Sequence, residues 1–147
     1  MRNNFLKTMM MIGALLVLSA VSAHAQAGAN FTVVVPFDFT VSGKTLPAGE
    51  YIVARSTQGS EGLVIRARDG KGGVYLLTKS IQTRDNQVQT RVVFNRYNDQ
   101  YFLSQVWISG RSTGRELHKS RQERALEREL AARAAKPESI AVAGKAR

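Results

Sequence analysis

The sequence predicts an all-β protein: a small antiparallel β-sandwich or partly closed barrel followed by a C-terminal α-helix. Three observations carry this expectation. From residue 31 onward apolar and polar residues alternate over short runs, the period of a strand with one face on a core. Clusters of Gly, Pro, Asn, Asp and Ser separate those runs, as tight turns require. From residue 111 the composition shifts towards Ala, Glu, Arg and Leu, which are strong helix formers.

Phe31, Val33, Val35, Phe37, Phe39 and Val41 share one face of the first run. Pro36 cannot donate a ladder hydrogen bond and divides that run into two strands. Ser42-Gly43-Lys44 and Leu46-Pro47-Ala48-Gly49 are turns. The next strands cover Glu50 to Ser56, with Tyr51, Val53 and Arg55 on one face, then Leu63 to Arg68 and Val74 to Ile81. Asp69-Gly70-Lys71-Gly72-Gly73 joins the last two with residues that tolerate positive φ. The closing hairpin runs from Arg91 to Ile108, with Asn98-Asp99 at its tip and β-branched and aromatic residues in both arms. Six or seven short strands without βαβ spacing favour an antiparallel architecture over a parallel sheet. Beyond Gly110 the expected helix covers 111–136, with Thr113-x-x-Glu116 at capping-box spacing. Glu116/Lys119 and Glu129/Arg133 are spaced for surface ion pairs. Pro137 ends the helix, and 137–147 is expected to be a disordered tail. The β domain is therefore expected over 30–110.

The N-terminus places Arg2 and Lys7 before an uncharged apolar run that ends at Ala23-His24-Ala25. This is the order of a cleavable secretory signal peptide, expected over 1–25. At about 13 residues the run is short of the roughly 20 a spanning helix needs. The chain is thus expected outside the cytoplasm, periplasmic or extracellular, and not membrane-spanning after cleavage. An outer-membrane barrel needs at least eight strands of about ten residues with an apolar outer band, whereas several of these strands are shorter and Arg, Lys and Thr occupy outward positions.

Composition narrows the chemistry. The 147 residues contain no cysteine, which excludes disulfides, thiolate nucleophiles and cysteine metal sites. Lys and Arg number 21 against 11 Asp and Glu. Residues 111–147 hold ten of the basic groups and five of the acidic ones, more than half of the excess outside the leader. Export argues against nucleic acid as the partner of this charge, and leaves an anionic envelope surface or another envelope protein. His118, the only histidine beyond the leader, reads as a solvated side chain rather than a ligand or triad member. Asp38 lies between Phe37 and Phe39 but points to the opposite face of the strand. Gly70-Lys71-Gly72-Gly73 precedes a strand and so lacks the helix N-terminus of a phosphate loop. Tyr97, Tyr101 and Trp107 on the closing hairpin are the candidate ligand-stacking residues, in competition with a role in the core. No catalytic residue, metal ligand or cofactor is assigned.

Val35-Pro36-Phe37-Asp38-Phe39-Thr40-Val41 with Lys44-Thr45-Leu46-Pro47-Ala48-Gly49-Glu50-Tyr51, and Phe94 to Trp107 followed by Gly110-Arg111-Ser112-Thr113-Gly114-Arg115-Glu116-Leu117, resemble a group of uncharacterised exported β-rich proteins of soil bacteria, acidobacteria especially. The resemblance implies no activity and no functional residues. The expected function is that of an exported, non-catalytic interaction or structural protein of the cell envelope. The alternatives are a carbohydrate-binding module and a hydrolase with an unrecognised carboxylate pair.

Overall fold

A computed structural model describes residues 30–56 and 61–146. The expected signal peptide, 1–25, lies outside the described residues. Ten strands and one helix follow in order: β1 (Phe31–Val35), β2 (Phe39–Val41), β3 (Lys44–Leu46), β4 (Gly49–Arg55), β5 (Gly62–Ala67), β6 (Gly73–Gln82), β7 (Arg91–Tyr97), β8 (Gln100–Trp107), β9 (Thr113–Leu117), α1 (Arg121–Ala132) and β10 (Glu138–Ala146).

Eight of the strands close into an antiparallel barrel, in the order β8-β7-β10-β1-β4-β5-β6-β9, and the β8–β9 pairing completes the ring. The expected β-rich fold is therefore present, as a closed barrel rather than a sandwich. The β2–β3 hairpin is extra. It hangs on the wall through one parallel bridge, Thr40 to Phe102. Ser42 and Gly43 both take positive φ, 48° and 78°, the geometry of the two-residue turn that matches strand twist. The bend at Pro36-Phe37-Asp38 separates β1 from β2 as the proline predicts.

Inward positions follow the expected alternation. Phe31, Val33 and Val35 of β1, Tyr51 and Val53 of β4, Leu63 and Ile65 of β5, and Val74 and Leu76 of β6 meet Val92, Phe94, Leu103, Val106 and Leu117 in one buried cluster. Side chains fill the interior, as in other barrels of eight strands. Phe39 from the hairpin packs edge-on against both Tyr51 and Phe94, at 5.2 and 5.3 Å between ring centroids.

Two expectations at the C-terminal end are corrected. The helix spans Arg121–Ala132, not 111–136, and Thr113–Leu117 is a strand paired with both β6 and β8. The N-cap is Ser120, whose Oγ accepts a hydrogen bond from the Glu123 backbone N–H at 3.1 Å. Glu116 accordingly pairs with Lys79 across β6 and β9 instead of with Lys119, while the Glu129–Arg133 pair forms as its spacing predicts. The expected tail is strand β10 over Glu138–Ala146. It lies between β7 and β1 and supplies two of the barrel's seams. The β domain thus extends to 146, well past residue 110.

Candidate functional site

The registers give the barrel two ends. Val35, Gly49, Ala67, Gly73, Tyr97 and Gln100 lie at the upper end, and Phe31, Arg55, Gly62, Arg91, Trp107 and Thr113 at the lower. With the interior filled, the concave surfaces lie at these ends.

Three arginines surround the lower mouth. Arg55 follows Tyr51 and Val53 on the inward face of β4. Arg115 stands two residues before Leu117, which is buried in the core, and opposite Val106. Strand alternation therefore starts both side chains on the inward face, at the rim of the barrel. Arg111 joins them from the loop between β8 and β9. These residues line a cavity of about 50 Å³ whose floor is Phe31, Val53, Leu63 and Val106. The loop that carries Arg111 is held in place. Gln87 N–H donates to the Arg111 carbonyl, Gly110 N–H donates to the Gln87 carbonyl, and Thr83 N–H donates to the Ser112 carbonyl, at 2.8–3.0 Å. Arg84, Arg91 and Lys145 lie at the same end, which also carries Glu61 and Asp85. Arg91 keeps its Nε buried with no acceptor among the described residues. The low dielectric of an apolar floor strengthens the attraction of such a cluster for an anion, and the planar guanidinium fork suits carboxylate and phosphate oxygens.

The upper mouth differs in charge and shape. Tyr51 donates its phenolic hydrogen to the Pro47 carbonyl at 2.6 Å, which ties the β3–β4 turn to the wall. Asp38 accepts from Ala48 N–H at 2.8 Å and clamps the same turn. Asp38 is exposed, as expected, and its carboxylate serves the turn. Burial raises the pKa of the Tyr51 phenol, and the charges of Asp69 and then Asp38 push it in the same direction. A groove of about 360 Å³ runs between β3 and the β5–β6 hairpin, over Tyr51, Ile65, Ala67 and Val74. Glu50 and Arg68 pair beside it.

The expected stacking residues do not assemble into a platform. Tyr97 is 0% and Trp107 7% exposed, so neither offers an open ring face to a sugar. Trp107 covers Gly114, where an added Cβ would lie 2.5 Å from the indole, and its Nε1 donates to Gln105 Oε1. Tyr97 sits beneath α1 and donates to Glu123 Oε1 at 3.2 Å, next to the Asn95 amide at 3.0 Å. Tyr101 lies at the upper end, stacked on Phe37 at 3.9 Å and within 5.6 Å of the Arg96 guanidinium. The rings therefore serve three separate places: Tyr97 packs with Phe102 beneath α1, Trp107 covers Gly114 at the lower end, and Tyr101 stacks at the upper rim. His118 is exposed in the link between β9 and α1. Among the described residues no group of three or more His, Cys, Asp or Glu stands together to hold a metal ion.

Half of the lower mouth was readable from sequence. Arg55 shares the Tyr51–Val53 face in the simple alternation. Arg115 falls in the stretch whose composition predicts a helix, and the alternation of Thr113, Arg115 and Leu117 is the one local signal of its strand. Comparison with protein-family models, curated proteins and solved structures returned no match.

Proposed function

We propose that this chain is an exported, non-catalytic envelope protein whose lower end docks on an anionic envelope surface. The reading takes the chain as one of the exported β-rich proteins it resembles, and 1–25 as its signal peptide. The observation that carries it is the convergence of Arg55, Arg111 and Arg115 on one mouth. Each arginine near an anionic surface contributes about 1 kcal/mol, roughly fivefold in affinity. Val88, 90% exposed in the neighbouring loop, adds an apolar contact at the same end. No helix among the described residues is long and apolar enough to cross a membrane.

Flotation with phosphatidylglycerol vesicles and with phosphatidylcholine vesicles tests the reading. The protein floats with the anionic vesicles only, and raised salt releases it. The variant Arg55→Gln/Arg111→Gln/Arg115→Gln loses most of the binding, while Arg121→Gln/Arg124→Gln/Arg128→Gln on α1 keeps it. Loss in the helix variant with retention in the mouth variant would move the contact to α1 and overturn the assignment.

A further inference from the structure

The β6–β9 and β9–β8 pairings that complete the ring cover only its lower part. At the lower end β6 meets β9 from Thr78 to Gln82, and β9 meets β8 at Glu116 and Arg115. Above Thr78, β6 has β5 on one side and no strand on the other. The β2–β3 hairpin fills part of this gap by pairing with β8, but its outer strand β3 ends the strand order and pairs with β2 alone. Two free backbone edges, Lys44–Leu46 and Gly73–Leu77, therefore border this seam, and Lys44, Leu46, Gly73 and Val74 line one groove at its upper end.

We propose that this seam accepts an extended acidic segment of a partner protein as an added strand. Three features choose the occupant. First, the phase of the β6 edge suits a strand. Thr78 N–H donates to the Glu61 carbonyl on the β5 side, so by antiparallel alternation Gly73, Tyr75 and Leu77 turn their N–H and C=O groups to the seam. Such edges are satisfied by another extended backbone. Second, the floor of Leu46, Tyr51, Ile65, Ala67 and Val74 is apolar and takes every second side chain of that strand. Third, Lys44 and Lys71 line the groove with no ion pair among the described residues, while Asp69, the carboxylate beside them, accepts from Lys71 N–H. Alternating apolar and acidic residues complement this arrangement. The site lies at the opposite end from the arginine mouth and does not depend on it.

The probe is a synthetic seven-residue peptide of alternating glutamate and valine, titrated into the exported chain and followed by amide NMR. Saturable one-to-one binding is expected, with shifts confined to Lys44–Leu46 and Gly73–Leu77 and slowed exchange at Gly73, Tyr75 and Leu77. A peptide N-methylated at alternate residues binds at least tenfold more weakly, because the ladder cannot form. The folded surface variant Lys44→Glu/Lys71→Glu weakens the unmodified peptide at least fivefold. Absence of saturable binding at millimolar peptide, equal affinity for the N-methylated form, or shifts centred on Arg55, Arg111 and Arg115 would each overturn the proposal.

Discussion

At the scale of single residues, two contacts outside the barrel's main core carry sharp consequences. Gly114 is small because Trp107 lies on it. An alanine there places its Cβ 2.5 Å from the indole, so the ring or the strand must shift. Overpacking of this kind costs about 1–3 kcal/mol, and Gly114→Ala is expected to lower the melting temperature by several degrees and change the Trp107 fluorescence. The second contact is the Tyr97 hydroxyl on the buried carboxylate of Glu123. Burial, then the charges of Glu123 and Glu127, raise the pKa of this phenol far above its ordinary value. Since the folded-state pKa is raised, the contribution to stability is complete below the unfolded tyrosine value of about 10. It is lost progressively as pH rises beyond that value, because the unfolded chain ionises first. Denaturant titrations of Tyr97→Phe should show two changes. Stability near pH 7 falls by about 1–3 kcal/mol, since Glu123 loses a donor in a buried site. The alkaline decline above pH 10 becomes shallower than in the parent. An unchanged alkaline slope would show that the phenol does not ionise on unfolding in that range.

Among the elements, the strands that sequence disclosed and those it hid differ in how locally they are determined. β1, β4 and β5 carry apolar residues at alternate positions, so each declares its buried face unaided, while β7 and β8 are disclosed by β-branched and aromatic composition on both sides of Asn98-Asp99. β9 is five residues with a single large apolar side chain, Leu117, and lies beside a stretch of helix-forming composition. Its strand identity comes from the β6 and β8 edges it bridges. β10 reads Glu-Ser-Ile-Ala-Val-Ala-Gly-Lys-Ala and has only Ile140 and Val142 to bury. Alone it would be a polar tail, and the waiting edges of β1 and β7 make it a strand. The same non-locality hid half of the lower mouth, because Arg115 faces inward only once β9 exists. β10 is consequently more than an appendage. Deleting 137–147 exposes the edges of β1 and β7 and uncovers Phe31, which otherwise packs against Gly144. The truncated chain is expected to lose its cooperative thermal transition and to aggregate through the opened edges. A truncated form that kept a sharp transition near the parent temperature would remove β10 from the essential wall.

For the whole molecule, barrel closure couples the two extremes of the described chain. Phe31 pairs with Ala146 and Val33 with Gly144, so β1 and β10 form an antiparallel seam between strands more than a hundred residues apart. Closing that seam brings together contacts of very high sequence separation, which places folding among the slow, non-local topologies. It also sets the two ends side by side, within reach of a short hairpin connection. A circular permutant follows from this geometry: the chain begins at Pro137, runs through β10, crosses a four-residue Gly/Asn linker into Asn30, and ends at Lys136. The new termini fall in the exposed link between α1 and β10, where no ladder is cut. The permutant retains every strand pairing while the β10–β1 contact becomes local. It is therefore expected to keep the parent's circular dichroism and melt within a few degrees of it, and to refold faster in stopped-flow measurements. Its value lies in the contrast with the deletion of the same residues. If β10 belongs to the wall, moving it is tolerated and removing it is not. If the permutant failed to fold while the deletion stayed cooperative, the barrel would have to close without β10, and the register between Phe31 and Ala146 would be wrong.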